Sequence, residues 1–579
     1  MHDLIIRGGM LVDGTGAPAR QADIAVKDGI ITEVGAVTGA AHREIDATGH
    51  IVTPGWVDIH THYDGQVTWD PYLSPSSWHG VTTVVMGNCG VGFAPARPDK
   101  HDWLIALMEG VEDIPGSALS EGIQWNWETF PEYMDSLDKQ ERAIDVATQV
   151  PHGSVRAYVM GERGAKNEAA TDEDIAAMAE IVRESIDAGA LGFSTSRTIL
   201  HLSKDGEPVP GTFANKAELM GIGRAMAQAG HSVFEMASDM TPAEEEFIWM
   251  KELSAETGLP VTYALLQSPM QPDKWRDMLA LTDAARKEGA NITAQIACRP
   301  TGMVLGWQSS VHPFIAHPAY REIGELPFSE RLEKLKDPAI RTRIINDIPH
   351  GKGPLSHILT QGYDRMFRLE HDGKLDYEPK AEDSIAALAE RTGRKPAEIV
   401  YDMMMEKDGR GYIYLPMLNY ALFNFEHIHE MMHHPATVLS LSDGGAHCGV
   451  ICDASFPTYM LTHWVRDRSR GPRLPLEKVV QMQTHDTAKL YGLNDRGIVA
   501  PGMKADLNVI DLDRLRILPP EMAFDLPAEG RRMLQRSEGY RATIVSGTVI
   551  FENGEATGEM PGRLIRGPQQ SALRAQAAE

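Results

Sequence analysis

IVTPGWVDIHTH, residues 51–62, is an apolar run that ends on two histidines one residue apart. In a strand, residues i and i+2 point to the same side, so the imidazoles of His60 and His62 project together. Seven further apolar runs of strand length follow: GVTTVVMGNCG, AIDVATQVPHG, GALGFSTS, HSVFEMAS, GLPVTYALLQ, NITAQIACRP and ATVLSLSDGG. Between them lie stretches such as TDEDIAAMAEIVRESIDAG, with a Thr/Asp start signal, helical apolar spacing and a terminal Gly. Eight strands alternating with helices predict an α/β fold, a (β/α)8 barrel, whose catalytic groups sit at the carboxyl ends of the strands.

Working outward, residues 1–54 read as short strands separated by turns, and the same texture returns over 491–560. We expect a small β-sandwich domain assembled from both ends of the chain, with the barrel over 55–490 as one long insertion. The segment at about 300–430 is too long for a βα connection and contains helix-like pieces, so it reads as an inserted lid or subdomain. Residues 561–579 read as a tail, either an arm or a frayed end.

Composition excludes several function classes. With 55 Lys+Arg against 81 Asp+Glu the net charge is -26, and the chain has no basic run, so no nucleic-acid partner is expected. The N-terminus lacks the pattern of a signal peptide and no stretch of about 18 apolar residues could span a bilayer. We expect a cytoplasmic protein without a membrane partner, acting on a small-molecule substrate as a homo-oligomer. Cys89, Cys298, Cys448 and Cys452 are too few and scattered for a disulfide framework.

Two adjacent inward imidazoles in an apolar strand favour a cation over a polar core. Strand two ends in Cys89, whose thiolate would be a strong zinc ligand; the alternative is a small buried hydrophobe. Strand eight ends in Asp443, a carboxylate delivered to the same mouth, or else an Asp opening a turn before Gly444 and Gly445. Together His60, His62 and Asp443 could bind a divalent metal while Asp443 takes the proton of the attacking, metal-bound water as general base.

With these residues in place the chain resembles the amidohydrolase superfamily, and within it the D-aminoacylases, or N-acyl-D-amino-acid deacylases. The resemblance rests on PGWVDIHTHYDGQ, GVTTVVMGNCGVGFAP, VPHGSVRAYVMG, GALGFSTS and RATIVSGTVIFENGEATGEMPGRLIRG, in order, from residue 3 to about 567. It implies zinc, with His60, His62, Cys89 and Asp443 as ligands or catalytic groups. The family's strand-five and strand-six histidines fall here on Glu235 and Leu265. We therefore expect one zinc per chain, another divalent metal being the alternative, held by His60, His62 and Asp443 with Glu235 or Cys89 as a fourth ligand. Glu235 could instead support a ligand from behind.

The resemblance also implies a Tyr and a Lys on the substrate carboxylate, and these become Ile199 and Gln267. Arg197 and Arg299, just past strand ends, could form a replacement fork, unless they are ordinary exposed arginines. His152 and His447 are candidate hydrogen-bond donors in the transition state or supports for ligands. A competing motif, HExxH at His429–His433, would mark a zinc protease, but Pro435 follows at once and places this helix outside the barrel. The expected activity is metal-dependent hydrolysis of an amide, an N-acyl amino acid or related N-acyl compound. A lactone, ester or carbamate hydrolase with the same site is the enzymatic alternative, and a non-catalytic scaffold relative the other.

Overall fold

The computed structural model describes residues 1–572. Its central sheet has eight parallel strands, paired as neighbours in chain order: β1 (Trp56–Asp58), β2 (Val81–Met86), β3 (Asp145–Pro151), β4 (Gly192–Arg197), β5 (Val233–Ser238), β6 (Val261–Leu265), β7 (Ile292–Ile296) and β8 (Thr437–Leu439). Every residue of β2 and β3 is buried, as parallel strands covered on both faces require. The sheet curls until the segments that follow its first and last strands meet, at a bridge between Thr61 and Gly444. Asp443 donates its N–H to the carbonyl of His60 at 3.2 Å, and His62 donates to the carbonyl of Gly444 at 2.7 Å. Gly445 permits that approach: its φ is +92°, and a Cβ there would lie 2.8 Å from the His62 carbonyl oxygen.

The helix signals act as the chemistry demands. Thr171 accepts the N–H of Asp174 and Asp174 reaches back to the N–H of Thr171, a capping box at the start of helix Asp172–Asp187. Strand alternation fixes which side chains enter the barrel. On β6, Thr262 faces inward, where Gln295 donates to its hydroxyl at 2.9 Å. Tyr263 faces the other way and bonds Thr282 on helix Lys274–Lys287 at 2.7 Å. Leu265 shares the side of Tyr263, so a side chain at 265 points toward the helices and away from the interior.

Both chain ends enter one nine-stranded sheet. His2–Leu11 pairs with Arg20–Lys27, Ala41–Asp46 and Ile51–Pro54, and Ile51–Pro54 pairs in turn with Leu507–Ile510 from the other end. A buried ionic cluster fastens this sheet to the barrel: Asp145 of β3 takes Arg496 at 2.6 Å and Lys504 at 3.0 Å, and Asp506 lies 2.5 Å from Lys504. Between β7 and β8, helices and a three-stranded sheet (Gly302–Leu305, Phe367–Arg368, Ile413–Pro416) surround a separate apolar cluster that includes Trp307, Phe314 and Tyr401. From 561 to 572 the chain runs as an arm along the barrel, with the N–H groups of Gly562 and Ile565 on the carbonyls of Arg142 and Val146. The rest of the expected tail, 573–579, lies outside the described residues. Among the described residues no helix is long and apolar enough to cross a membrane.

Candidate metal centre

Closure of β1 on the loop after β8 puts Asp443 against both histidines of the HxH pair. Asp443 Oδ1 lies 3.4 Å from His60 Nε2 and 3.6 Å from His62 Nε2. Cys89 Sγ is 3.4 Å from His60 Nε2, and one donor atom each from His60, His62 and Cys89 lies within 4.8 Å of the other two. All three are buried, and among the described residues theirs is the one cluster of this kind. Cys89, Asp443 and His447 adopt left-handed backbone conformations, with φ of 55°, 48° and 50°. Such strain in non-glycine residues gathers where a structure holds side chains in place for function.

A hydrogen-bond partner fixes the tautomer of His60. Gln295 Oε1 accepts from Ser440 at 2.8 Å and lies 3.1 Å from His60 Nδ1, so Nδ1 carries the proton and Nε2 faces Asp443 and Cys89. His62 Nδ1 lies 3.2 Å from Glu112 Oε1 without forming a hydrogen bond, and its Nε2 lies toward Asp443. Burial pushes His60 down to about 4. For His62 burial acts in the same direction, but the carboxylates of Glu112 and Asp443 outweigh it and raise the imidazole to about 9. Burial would raise Asp443, yet His62 and His60 hold its carboxyl well below the usual range.

Glu235 enters the interior from β5, in register with Ser194 and Thr262. Its Oε2 accepts the N–H of Cys89 at 3.2 Å, while Oε1, buried and 4.0 Å from His60 Nδ1, has no hydrogen-bond partner. Burial raises this carboxyl to about 8. Burial also lifts the Cys89 thiol well above its ordinary value, and the charged groups that act most on it, Glu235, Glu112, Asp443 and Asp64, are all carboxylates. A buried pocket with this excess of oxygen and sulfur donors is suited to a cation.

The expected substrate contacts are distributed otherwise. Arg197 is held by Glu246 at 2.8 Å and by the carbonyl of Ala214, and Arg299 is fully buried on Asp453 at 2.8 Å with its guanidinium over Tyr377. The expectation that these two form one free fork is therefore corrected: each is balanced by its own carboxylate, although Arg299 Nε and Nη1 have no partner. His152 is also engaged on both sides, by Thr195 at 2.8 Å and Glu218 at 2.9 Å, so no ring nitrogen is left for a substrate. His447, about a quarter exposed, has Nε2 3.7 Å from Glu112 Oε2. Gln267 spends its amide on the carbonyl of Pro272 and the N–H of Ala421, and Ile199 stands 62% exposed. In the HExxH helix, Glu426–His433, the glutamate Glu430 turns outward to Arg276 at 3.0 Å.

Two groups went unread in the sequence. Glu112 continues the apolar stripe of helix His101–Glu112, and a carboxylate on such a stripe is the signal that could have found it. His201, in the loop after β4, has Nδ1 3.0 Å from Ser196 Oγ and lies in the field of His447, His62, Asp443 and His60; burial pushes it down to about 3. No spacing in that loop announces it.

A model described as the amidohydrolase family matches residues 43–551. The chain belongs to the amidohydrolase family. This amidohydrolase is 26% identical over 574 residues to a D-aminoacylase of Alcaligenes xylosoxydans xylosoxydans, a match covering 97% of each chain. It is 26% identical over 573 residues to an N-acyl-D-glutamate deacylase of the same organism, covering 97% of this chain and 96% of that one. Among solved structures, N-acyl-D-glutamate deacylase of Bordetella bronchiseptica, complexed with zinc and a phosphonate inhibitor, matches with a TM-score of 0.63 at 23% identity, over 98% of this chain and 100% of that one. A D-aminoacylase described as having a binuclear metal centre matches with a TM-score of 0.64 at 22% identity and the same coverage. At that identity the likeness shows the fold. The amidohydrolase is a hydrolase of carbon–nitrogen bonds other than peptide bonds.

Proposed function

We propose that this amidohydrolase deacylates N-acyl amino acids or related N-acyl compounds at a centre formed by His60, His62 and Asp443, with one zinc per chain. The observation that carries the reading is the contact of one Asp443 oxygen with both HxH imidazoles, at 3.4 and 3.6 Å, beside the Cys89 sulfur. Cys89 or Glu235 is the fourth ligand, and Cys89 is the one whose donor atom lies within 4.8 Å of both imidazoles. The residues fit such an ion: donor atoms of His60, His62 and Cys89 lie within 4.8 Å of one another, and Glu235 Oε1, 4.0 Å from His60 Nδ1, is buried without a hydrogen-bond partner.

A divalent metal supplies Lewis acidity toward the scissile carbonyl and makes water a better nucleophile at neutral pH. Asp443, ionised at neutral pH, accepts the proton of the attacking water and returns it to the leaving nitrogen. Gln295 holds His60 in the tautomer that turns Nε2 toward Asp443, and the Glu112 carboxylate lies against Nδ1 of His62. His447 and His201 are placed to donate hydrogen bonds to the acyl compound. The similarity to a D-aminoacylase and an N-acyl-D-glutamate deacylase makes N-acyl-D-amino acids the first substrates to try.

A second reading has its own support. Gln267 is spent on the backbone, Arg197 and Arg299 each face a carboxylate, and Ile199 is apolar, which disfavours an acidic substrate and suits a neutral lactone, ester or carbamate. A scaffold without catalysis would gain nothing from burying two histidines, a cysteine and three carboxylates together. Turnover of a panel of N-acyl-D- and N-acyl-L-amino acids, lactones and carbamates separates these readings. Release of free amine from N-acyl-D-amino acids supports the first, turnover confined to lactones or carbamates the second, and no turnover of any compound by the zinc-loaded chain the scaffold.

A further inference from the structure

The carboxylate of Glu112 reaches two imidazoles at once. Its Oε1 lies 3.2 Å from His62 Nδ1 and its Oε2 3.7 Å from His447 Nε2, while its backbone carbonyl accepts the N–H of His447. The side chain is 2% exposed, a burial that a carboxylate tolerates only when it has partners. It arrives there at the end of helix His101–Glu112, whose buried stripe of Leu104, Ile105, Met108 and Val111 would be satisfied by another apolar residue. Packing therefore does not call for the charge.

The next residue anchors the helix end. Asp113 Oδ2 accepts from the Ser310 hydroxyl at 2.5 Å and from the Gly449 N–H at 3.1 Å, tying it to the segment after β7 and to the loop that carries Asp443 and His447. With the backbone so fixed, the Glu112 carboxylate has little freedom to leave His62.

We propose that Glu112 is a positioning residue for the metal centre, its carboxylate holding a negative charge against the Nδ1 side of His62 and so strengthening Nε2 as a ligand. The proposal rests on the reading that His60 and His62 hold the metal. The two histidines are unequal on this account. His60 is hydrogen-bonded by a neutral amide, Gln295, whereas His62 Nδ1 faces an anion at 3.2 Å, whose field pushes electron density through the ring toward Nε2. Loss of such a partner typically weakens metal affinity by about 10- to 100-fold.

The test is zinc affinity, measured by competition with a chelator of known affinity, in the full chain and in Glu112→Gln, His62→Ala and the double variant. Glu112→Gln keeps the shape and removes the charge, so its zinc affinity should fall by about 10- to 100-fold with the melting temperature of the zinc-free chain unchanged. In the His62→Ala background the same change should make less than about a twofold difference, because the partner through which it acts is gone. Unchanged affinity in Glu112→Gln, or an equal loss with and without His62, overturns the proposal. Should Glu112→Gln fail to fold, Glu112→Asp, which draws the carboxylate back from His62, is compared in its place, and parental affinity there overturns the proposal as well. Parental affinity in His62→Ala would instead show that the assignment of the centre itself is wrong, a result distinct from failure at Glu112 alone.

Discussion

Asp443 donates its backbone N–H to the carbonyl of His60 across 3.2 Å, so the contact that closes the barrel also sets two residues of the proposed centre against each other. The closing bond uses main chain, not imidazole. Side-chain loss at the centre should therefore cost metal and leave the barrel standing.

His60→Ala and His62→Ala are each expected to bind zinc more weakly than Glu112→Gln does and to lower kcat/KM by more than about 100-fold, the scale at which ligand loss exceeds loss of a supporting partner. Zinc content after gel filtration, read beside the circular dichroism melt, checks this. Unfolding of either variant would mean that the imidazoles hold the fold.

Asp443→Asn should keep most of its zinc and lose kcat by about 10²- to 10⁴-fold, because an amide accepts no proton from water. Steady-state rates at matched zinc occupancy decide it. A rate within threefold of the parent removes Asp443 as the base.

The barrel was legible before its edges were. Eight apolar runs between capped helical stretches specify alternating strands and helices, and HxH, Cys89 and Asp443 read as one centre because each ends a strand at the same face. Position 265 was not legible, since a one-residue shift in register turns a side chain from the interior to the helices, and nothing in VTYAL marks which side is which. Arg197 and Arg299 looked available because their counterions, Glu246 and Asp453, lie 49 and 154 residues away in the chain. Glu112 was hidden for the opposite reason: local spacing assigned its helix to the core, while its partner His62 lies on β1's loop.

The ionic cluster at the base of the barrel makes a separate claim about stability. Arg496→Met leaves Asp145 with Lys504 alone and should destabilise the chain by about 3 kcal/mol, as loss of one partner from a buried pair does. Urea denaturation at pH 7 measures it, and a change under about 0.5 kcal/mol would show the cluster to be slack.

His79 is one contributor to the pH dependence of folding, beside His60, His312 and His427, which burial also pushes down. Buried between the Thr458 hydroxyl and the Gln535 carbonyl, it is pushed down by burial to about 4 from an ordinary value of 6.5. Below pH 6.5 the unfolded chain takes up a proton that the folded chain refuses, so stability is complete above 6.5 and falls as the pH drops toward 4. The loss should approach about 3 kcal/mol across that window. Urea denaturation at pH 7, 5.5 and 4.5 should show this slope, diminished in His79→Gln; a parallel slope in the variant assigns the effect to other groups.

The location of the metal is the most direct test of the whole reading. Anomalous X-ray scattering across the zinc edge, from crystals of the zinc-loaded chain, should place one strong peak within about 2.3 Å of Nε2 of both His60 and His62, with Asp443 in contact. A map without a peak there, or with its principal peak on His429 and His433 instead, would contradict the account.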